Sequence, residues 1–131
     1  MPIRVVVVTP ERTEVDRVVD SAVLPMYDGE LGIQTGRAPL IGRLGYGEMR
    51  LQAAGGTEAF FVDGGFAQVE NNVVSVLTAR ALPAKSISVD AARGELTAEL
   101  EAPSSTPEQQ KLKAAAVMRA RGKLRTAIRQ R

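Results

Sequence analysis

The side chains of this chain that could do chemistry are carboxylates and cations, because it has no histidine and no cysteine. That removes the commonest general base and metal ligand, and with it thiolate nucleophiles, disulfides and zinc–cysteine sites. No P-loop is present, so nucleotide hydrolysis by this chain is not expected. Three places remain. Glu30 stands in Gly29-Glu30-Leu31-Gly32-Ile33-Gln34-Thr35-Gly36-Arg37-Ala38-Pro39-Leu40-Ile41, a stretch with three glycines and a proline. Glycine serves where the backbone needs positive φ or close approach, and Pro39 fixes one φ and removes a donor, so a shaped loop around a brief strand is predicted. Asp90 and Arg93 are three residues apart, a spacing that on a helix gives an exposed i, i+3 ion pair. The third place is the basic segment Lys111, Lys113, Arg119, Arg121, Lys123, Arg125, Arg129 and Arg131.

That segment hides behind a modest net charge of +2 on 131 residues. Residues 1–110 hold nine Lys/Arg against all fifteen acids, −6, whereas 111–131 hold eight bases and no acid, +8. A basic terminal segment calls for an acidic partner, in the same molecule or another. Nucleic acid is one such partner, but residues 107–131 contain no aromatic to stack on bases. Membrane-surface binding fits poorly, because the apolar face is mostly alanine and lacks Trp and Phe. Val5 to Val8 is too short to span a bilayer, and no cleavable signal pattern precedes it.

The elements that must position these residues change character near residue 80. Ile3 to Thr9 is a β-branched run that reads as a strand buried on both faces. Thr13 to Leu24 suits one long half-buried strand with a bend or bulge, stopped by Pro25. Glu48 to Ala54 alternates, with Met49, Leu51 and Ala53 on one face and Glu48, Arg50 and Gln52 on the other. Turn signals follow at Gly55-Gly56, Gly64-Gly65 and Asn71-Asn72. Several short strands with such spacing predict a β-sandwich or flattened barrel.

Beyond the linker at Ala81 to Ser86 the period becomes helical. Val89, Ala92 or Arg93, Leu96 and Leu100 share a face of a helix over about 88–101. Thr106-Pro107-Glu108-Gln109 signals a second helix start, with a capping box and proline at the first position. It is predicted to run to about Gln130, roughly 36 Å at 1.5 Å per residue, with a stripe of Leu112, Ala116, Ala120, Leu124 and Ile128. The fold class is therefore α+β. A sandwich over 1–82 is followed by an antiparallel two-helix hairpin over 83–131, whose helices carry opposite charge. Individual exposed pairs contribute only about 0–1 kcal/mol, so the hairpin is expected to be marginal and able to open.

The wording of several pieces resembles a family. Gly29-Glu30-Leu31-Gly32-Ile33 followed after three residues by Ala38-Pro39-Leu40-Ile41 is similar to the signature loop of the epsilon subunit of bacterial F-type ATP synthase, called delta in mitochondria. Gly47-Glu48-Met49-Arg50-Leu51, Phe61-Val62-Asp63-Gly64-Gly65-Phe66 and Val89-Asp90-Ala91-Ala92-Arg93 follow in the same order. The resemblance implies a non-catalytic central-stalk rotor subunit, peripheral at the cytoplasmic face of the bacterial plasma membrane. Such a subunit couples gamma to the membrane c ring during proton-driven synthesis and regulates hydrolysis through its C-terminal helices. It implies a c-ring contact at Gly29, Glu30, Leu31, Gly32 and Ile33, and a gamma contact at Arg37, Ala38, Pro39 and Leu40. Arg37 departs from the family, which usually has histidine there. Some bacterial members bind a regulatory ATP at a motif matched by Asp90 and Arg93, although Gly94 replaces the usual alanine; no other cofactor is implied. Arg119, Arg121, Lys123, Arg125 and Arg129 match the basic helix that, when the hairpin extends between the alpha/beta subunits, makes an inhibitory contact to beta. The alternative is a stand-alone β-domain whose basic tail binds nucleic acid or another polyanion.

Overall fold

In the computed structural model, residues 2–130 are described. β1 (Ile3–Val8), β2 (Thr13–Val19), β3 (Ser21–Met26), β4 (Gly29–Ile33), β5 (Leu40–Arg43), β6 (Tyr46–Ala53), β7 (Gly56–Asp63), β8 (Phe66–Glu70), β9 (Val73–Leu77) and β10 (Ala81–Pro83) precede two helices. The strands form two five-stranded sheets, ordered β2-β1-β9-β8-β5 and β10-β7-β6-β3-β4. Pairing is antiparallel except between β1 and β9, which run parallel.

Inward-facing residues of both sheets make one core, in which Val5, Val7, Leu24, Met49, Val62, Val74 and Val76 are fully buried. In β1 the burial alternates, with Val6 and Val8 only half-buried. Its β-branched continuity therefore does not mean two covered faces. The stretch expected as one long strand is two, β2 and β3, which lie in different sheets and part at Asp20. Pro25 does not stop the second. It sits inside β3 opposite Glu30, and Met26 still pairs with Gly29. Proline is tolerated where its missing N–H is not needed by the ladder. The β6–β7 turn falls one residue early, at Ala54-Gly55, so that Ala53 pairs with Gly56. Asn71 and Asn72 both adopt positive φ, 51° and 62°, as a two-residue hairpin turn between β8 and β9 requires.

α1 (Val89–Glu101) and α2 (Pro107–Ile128) follow a 3-10 turn at Ala84–Ser86. The predicted capping box is present: the Gln109 N–H donates to Thr106 Oγ1 at 3.1 Å, and the Thr106 N–H donates to Gln109 Oε1 at 3.3 Å. Thr106→Ala is expected to lower stability by about 1 kcal/mol, read as a lower urea midpoint for α2 helicity. An unchanged midpoint would show that the cap contributes nothing.

The predicted apolar stripe of α2 is only partly used. Leu112 is 72% exposed and Ile128 43%. The residues that α2 buries are Ala120, Gly122, Thr126 and Ala127, because α2 lies on the outer face of β6 and β7 as well as on α1. Small residues let its backbone come close to the sheet. Gly122 lies against the Tyr46 carbonyl, where even a methyl group would collide. Phe61, on the outer side of β7, is thereby left 2% exposed although it lies outside the sandwich core.

Candidate functional site

Glu30 stands on β4, one residue after Gly29, whose φ of +135° lets the chain turn out of Tyr27-Asp28. Its carboxylate is half exposed and accepts a hydrogen bond from Arg50 Nη1 at 3.0 Å on β6, and Arg129 Nη1 lies 3.7 Å away. The Arg50 hydrogen bond, helped by the positive charge of Arg50 and Arg129, holds the Glu30 carboxyl below the usual range. Glu30 is therefore a fixed negative charge at neutral pH. Leu31 is half-buried and Ile33 is buried in the core, while Gly29 and Gly32 are exposed. Of the five, Glu30 and the two glycines present a surface and the other two anchor the strand.

Arg37, Ala38 and Pro39 lie in the exposed connection to β5, and Leu40 starts that strand half-buried against the core. Hydrogen bonds shape this loop: the Gly36 N–H donates to Asn72 Oδ1 at 2.8 Å, and the Arg37 N–H donates to the Gln34 carbonyl at 3.2 Å. Beside it the outer face of β5, β8 and β9 shows Ile41, Phe66 and Leu77, each more than half exposed. Asp90 and Arg93 form an exposed pair at 3.7 Å in the first turn of α1, the i, i+3 arrangement their spacing allows.

The five basic positions that match the family's basic helix, four on α2 and Arg129 at its C-cap, separate into two groups. Arg119, Lys123 and Arg129 are engaged within the molecule. Arg119 Nε donates to Asp63 at 2.6 Å while its guanidinium lies over the Tyr46 ring, 5.2 Å from the centroid. The bond to Asp63 raises the Arg119 pKa further. Lys123 donates to both oxygens of Glu95 on α1, at 3.0 and 3.1 Å. Arg129 reaches Glu48 at 3.4 Å. Arg121 and Arg125 are exposed and make no ion pair among the described residues. Among the described residues the opposite charges of the two helices thus meet in one ion pair, and Arg119 and Arg129 reach the sandwich instead.

Glu48, Arg50 and Asp63 are the partners that sequence reasoning passed over. Alternation correctly put Glu48 and Arg50 on the outer face of β6, but an outer face reads as solvated. Here α2 covers it, and the side chains of Glu48 and Asp63 are only 4% and 6% exposed. The usable signal was the pairing of acids on that face with a helix carrying cations and no acid after Glu108.

A ten-strand sandwich followed by two helices, with a glycine-framed acid at one edge, defines the delta/epsilon class of ATP synthase subunits. Residues 2–84 match the family model described as ATP synthase, Delta/Epsilon chain, beta-sandwich domain. The chain is 62% identical over 127 residues to the ATP synthase epsilon chain of Rhodopirellula baltica, covering 97% of this chain and 99% of that one. It is 39% identical over 129 residues to the epsilon chain of Gloeobacter violaceus, covering 97% and 98%. A chain of the mitochondrial ATP synthase of Euglena gracilis, solved with its c-ring, shares the fold at a TM-score of 0.83 and 20% identity over 97% of this chain and 81% of that one. A chain of the Tetrahymena thermophila central stalk and c-ring assembly does so at 0.75 and 14%, covering 97% of each. This protein belongs to the ATP synthase epsilon chain family. It is an accessory stalk subunit of the rotary complex and not a catalytic one. No helix among the described residues is long and apolar enough to cross a membrane.

Proposed function

We infer that the sandwich, residues 1–82, docks between the gamma subunit and the c ring and carries rotation between them during proton-driven ATP synthesis. The helices of residues 83–131 tune ATP hydrolysis by leaving the sandwich to meet the alpha/beta subunits. The chain sits peripherally at the cytoplasmic face of the bacterial plasma membrane. The observation that carries the reading is the geometry at Glu30. It is a half-exposed carboxylate, held below the usual range by Arg50, on a glycine-framed edge strand within the part of the chain that matches the family, and Arg50 fixes its direction. Such a group offers a polar loop of a neighbouring subunit one oriented acceptor.

The apolar face at Ile41, Phe66 and Leu77, beside Arg37, Ala38, Pro39 and Leu40, supports gamma as the second partner, since exposed apolar clusters mark contact surfaces. Arg121 and Arg125, like Lys111, are exposed cations of α2 with no ion pair among the described residues, and Arg119, Lys123 and Arg129 join them only when their present acids are given up. No observation favours a nucleotide at Asp90 and Arg93 over the ion pair they already form, and no step of the proposal runs through ATP binding. A free polyanion-binding role has no support beyond charge, and Arg119, Lys123 and Arg129 already hold acids of the same chain.

The test is Glu30→Lys in the reconstituted, membrane-bound complex. Charge reversal at a contact is expected to lower proton-driven ATP synthesis several-fold while the chain still binds the detached complex. Undiminished synthesis would remove Glu30 from the ring contact.

A further inference from the structure

Four charged side chains and one amide meet where the end of α2 touches β4 and β6. Arg50 Nη1 donates to both Glu30 and Glu48 at 3.0 Å. Arg129 lies 3.4 Å from Glu48 and 3.7 Å from Glu30. Gln130 Nε2 donates to the other Glu48 oxygen at 2.6 Å. These groups line one open cleft. Two carboxylates and two guanidiniums balance, and one guanidinium belongs to the helix. With α2 in place the site is neutral. Without Arg129 it holds one net negative charge, and Glu30 has a single cation left. Glu48, nearly inaccessible beneath the helix, would at the same time be uncovered.

We propose that the end of α2 masks the acidic edge: Arg129, held by Glu48, shares the charge of Glu30, so that seating the helix and engaging Glu30 by a donor on a partner oppose each other. The proposal rests on the reading of Glu30 as the ring-facing residue and adds its regulation. Coupling between two sites is reciprocal. A partner that takes Glu30 loosens the last turns of α2, and a helix that has left strengthens the loop as an acceptor. The chain so reports to its ring-facing edge whether its C-terminal helix is docked. Both Glu30 and Arg129 are about half exposed, which limits the coupling to a few-fold.

The intramolecular half is read on the isolated full-length chain by amide hydrogen exchange in residues 120–128. Arg129→Gln is expected to speed exchange there about threefold and Glu30→Gln about twofold, and the double variant is expected to do no more than Arg129→Gln alone. Glu30→Gln leaving that segment at the wild-type rate, or effects that simply add, would overturn the coupling. Neither substitution touches the core, so folding of both variants is checked by unchanged exchange in β1 and β9. The intermolecular half is read as binding to the remaining membrane complex stripped of this chain. Arg129→Gln is expected to bind about threefold tighter than wild type, and the gain is expected to vanish in the Glu30→Gln background. A gain that survives there, or no gain, would contradict the masking. If instead Glu30→Gln alone binds as wild type while the exchange coupling holds, the ring reading of Glu30 fails and the clasp stands.

Discussion

Gly122→Ala is expected to unseat α2 from the sandwich without unfolding either. In an isolated helix the change would be stabilising, by about 1 kcal/mol, because glycine is the poorer helix former. Here the docked helix gives the opposite sign. Gly122 is buried against the Tyr46 carbonyl, and the added methyl would lie on backbone that the β6 ladder holds in place. The helix must move away by more than its contacts allow. That breaks the Arg119–Asp63 bond, uncovers Phe61 and draws Arg129 and Gln130 off Glu48. Hydrogen exchange in β6 and β7 and in residues 119–128 is expected to accelerate at least about tenfold, with helical circular dichroism retained. Slower exchange in α2 would show that propensity wins and that the close seat is not a constraint. In the assembled complex the same variant should hydrolyse ATP more slowly than wild type, because a helix released from its seat is free to reach the alpha/beta subunits.

The second large effect belongs to the sandwich. Gly65 joins β7 of one sheet to β8 of the other with φ of +103°, and a Cβ there would collide with the Leu77 carbonyl. Its own carbonyl accepts the Leu44 N–H at 2.8 Å. Backbone strain and a clash against a paired strand act together, so Gly65→Ala is expected to cost about 3–4 kcal/mol. Urea unfolding of the isolated chain measures it. A loss under about 1 kcal/mol would mean that the crossing can relax, contrary to the packing described.

What the sequence made legible follows from how local each signal is. Asn71-Asn72 sets its own turn, Thr106 to Gln109 caps its own helix, and Met49, Leu51 and Ala53 declare a core face by alternation alone. The strand break at Asp20 was not legible, because whether β2 and β3 continue one another depends on which sheet each joins. Pro25 misled for the same reason, since its missing donor matters only if a neighbour needs it. The largest omission was the seat of α2. Leu112 and Ile128 made the apolar stripe look decisive, but the helix settles on Gly122, Thr126 and Ala127, whose value lies in being small. The candidate site shows the same division. Glu30 was legible from its glycine frame. Its two cations, Arg50 from β6 and Arg129 from the far end of the chain, come together only through tertiary packing.

The proposed function makes this chain an accessory subunit whose helices regulate a complex that the sandwich couples. It is tested most directly by ATPase activity of the cognate membrane-extrinsic complex, reconstituted with the full chain, with the chain truncated after Pro83, or with none. Both versions are expected to bind, with hydrolysis slowest for the full chain and faster once the helices are gone. Equal rates for the two bound versions would contradict a regulatory role for the helices, and failure of the full chain to bind would contradict the account as a whole.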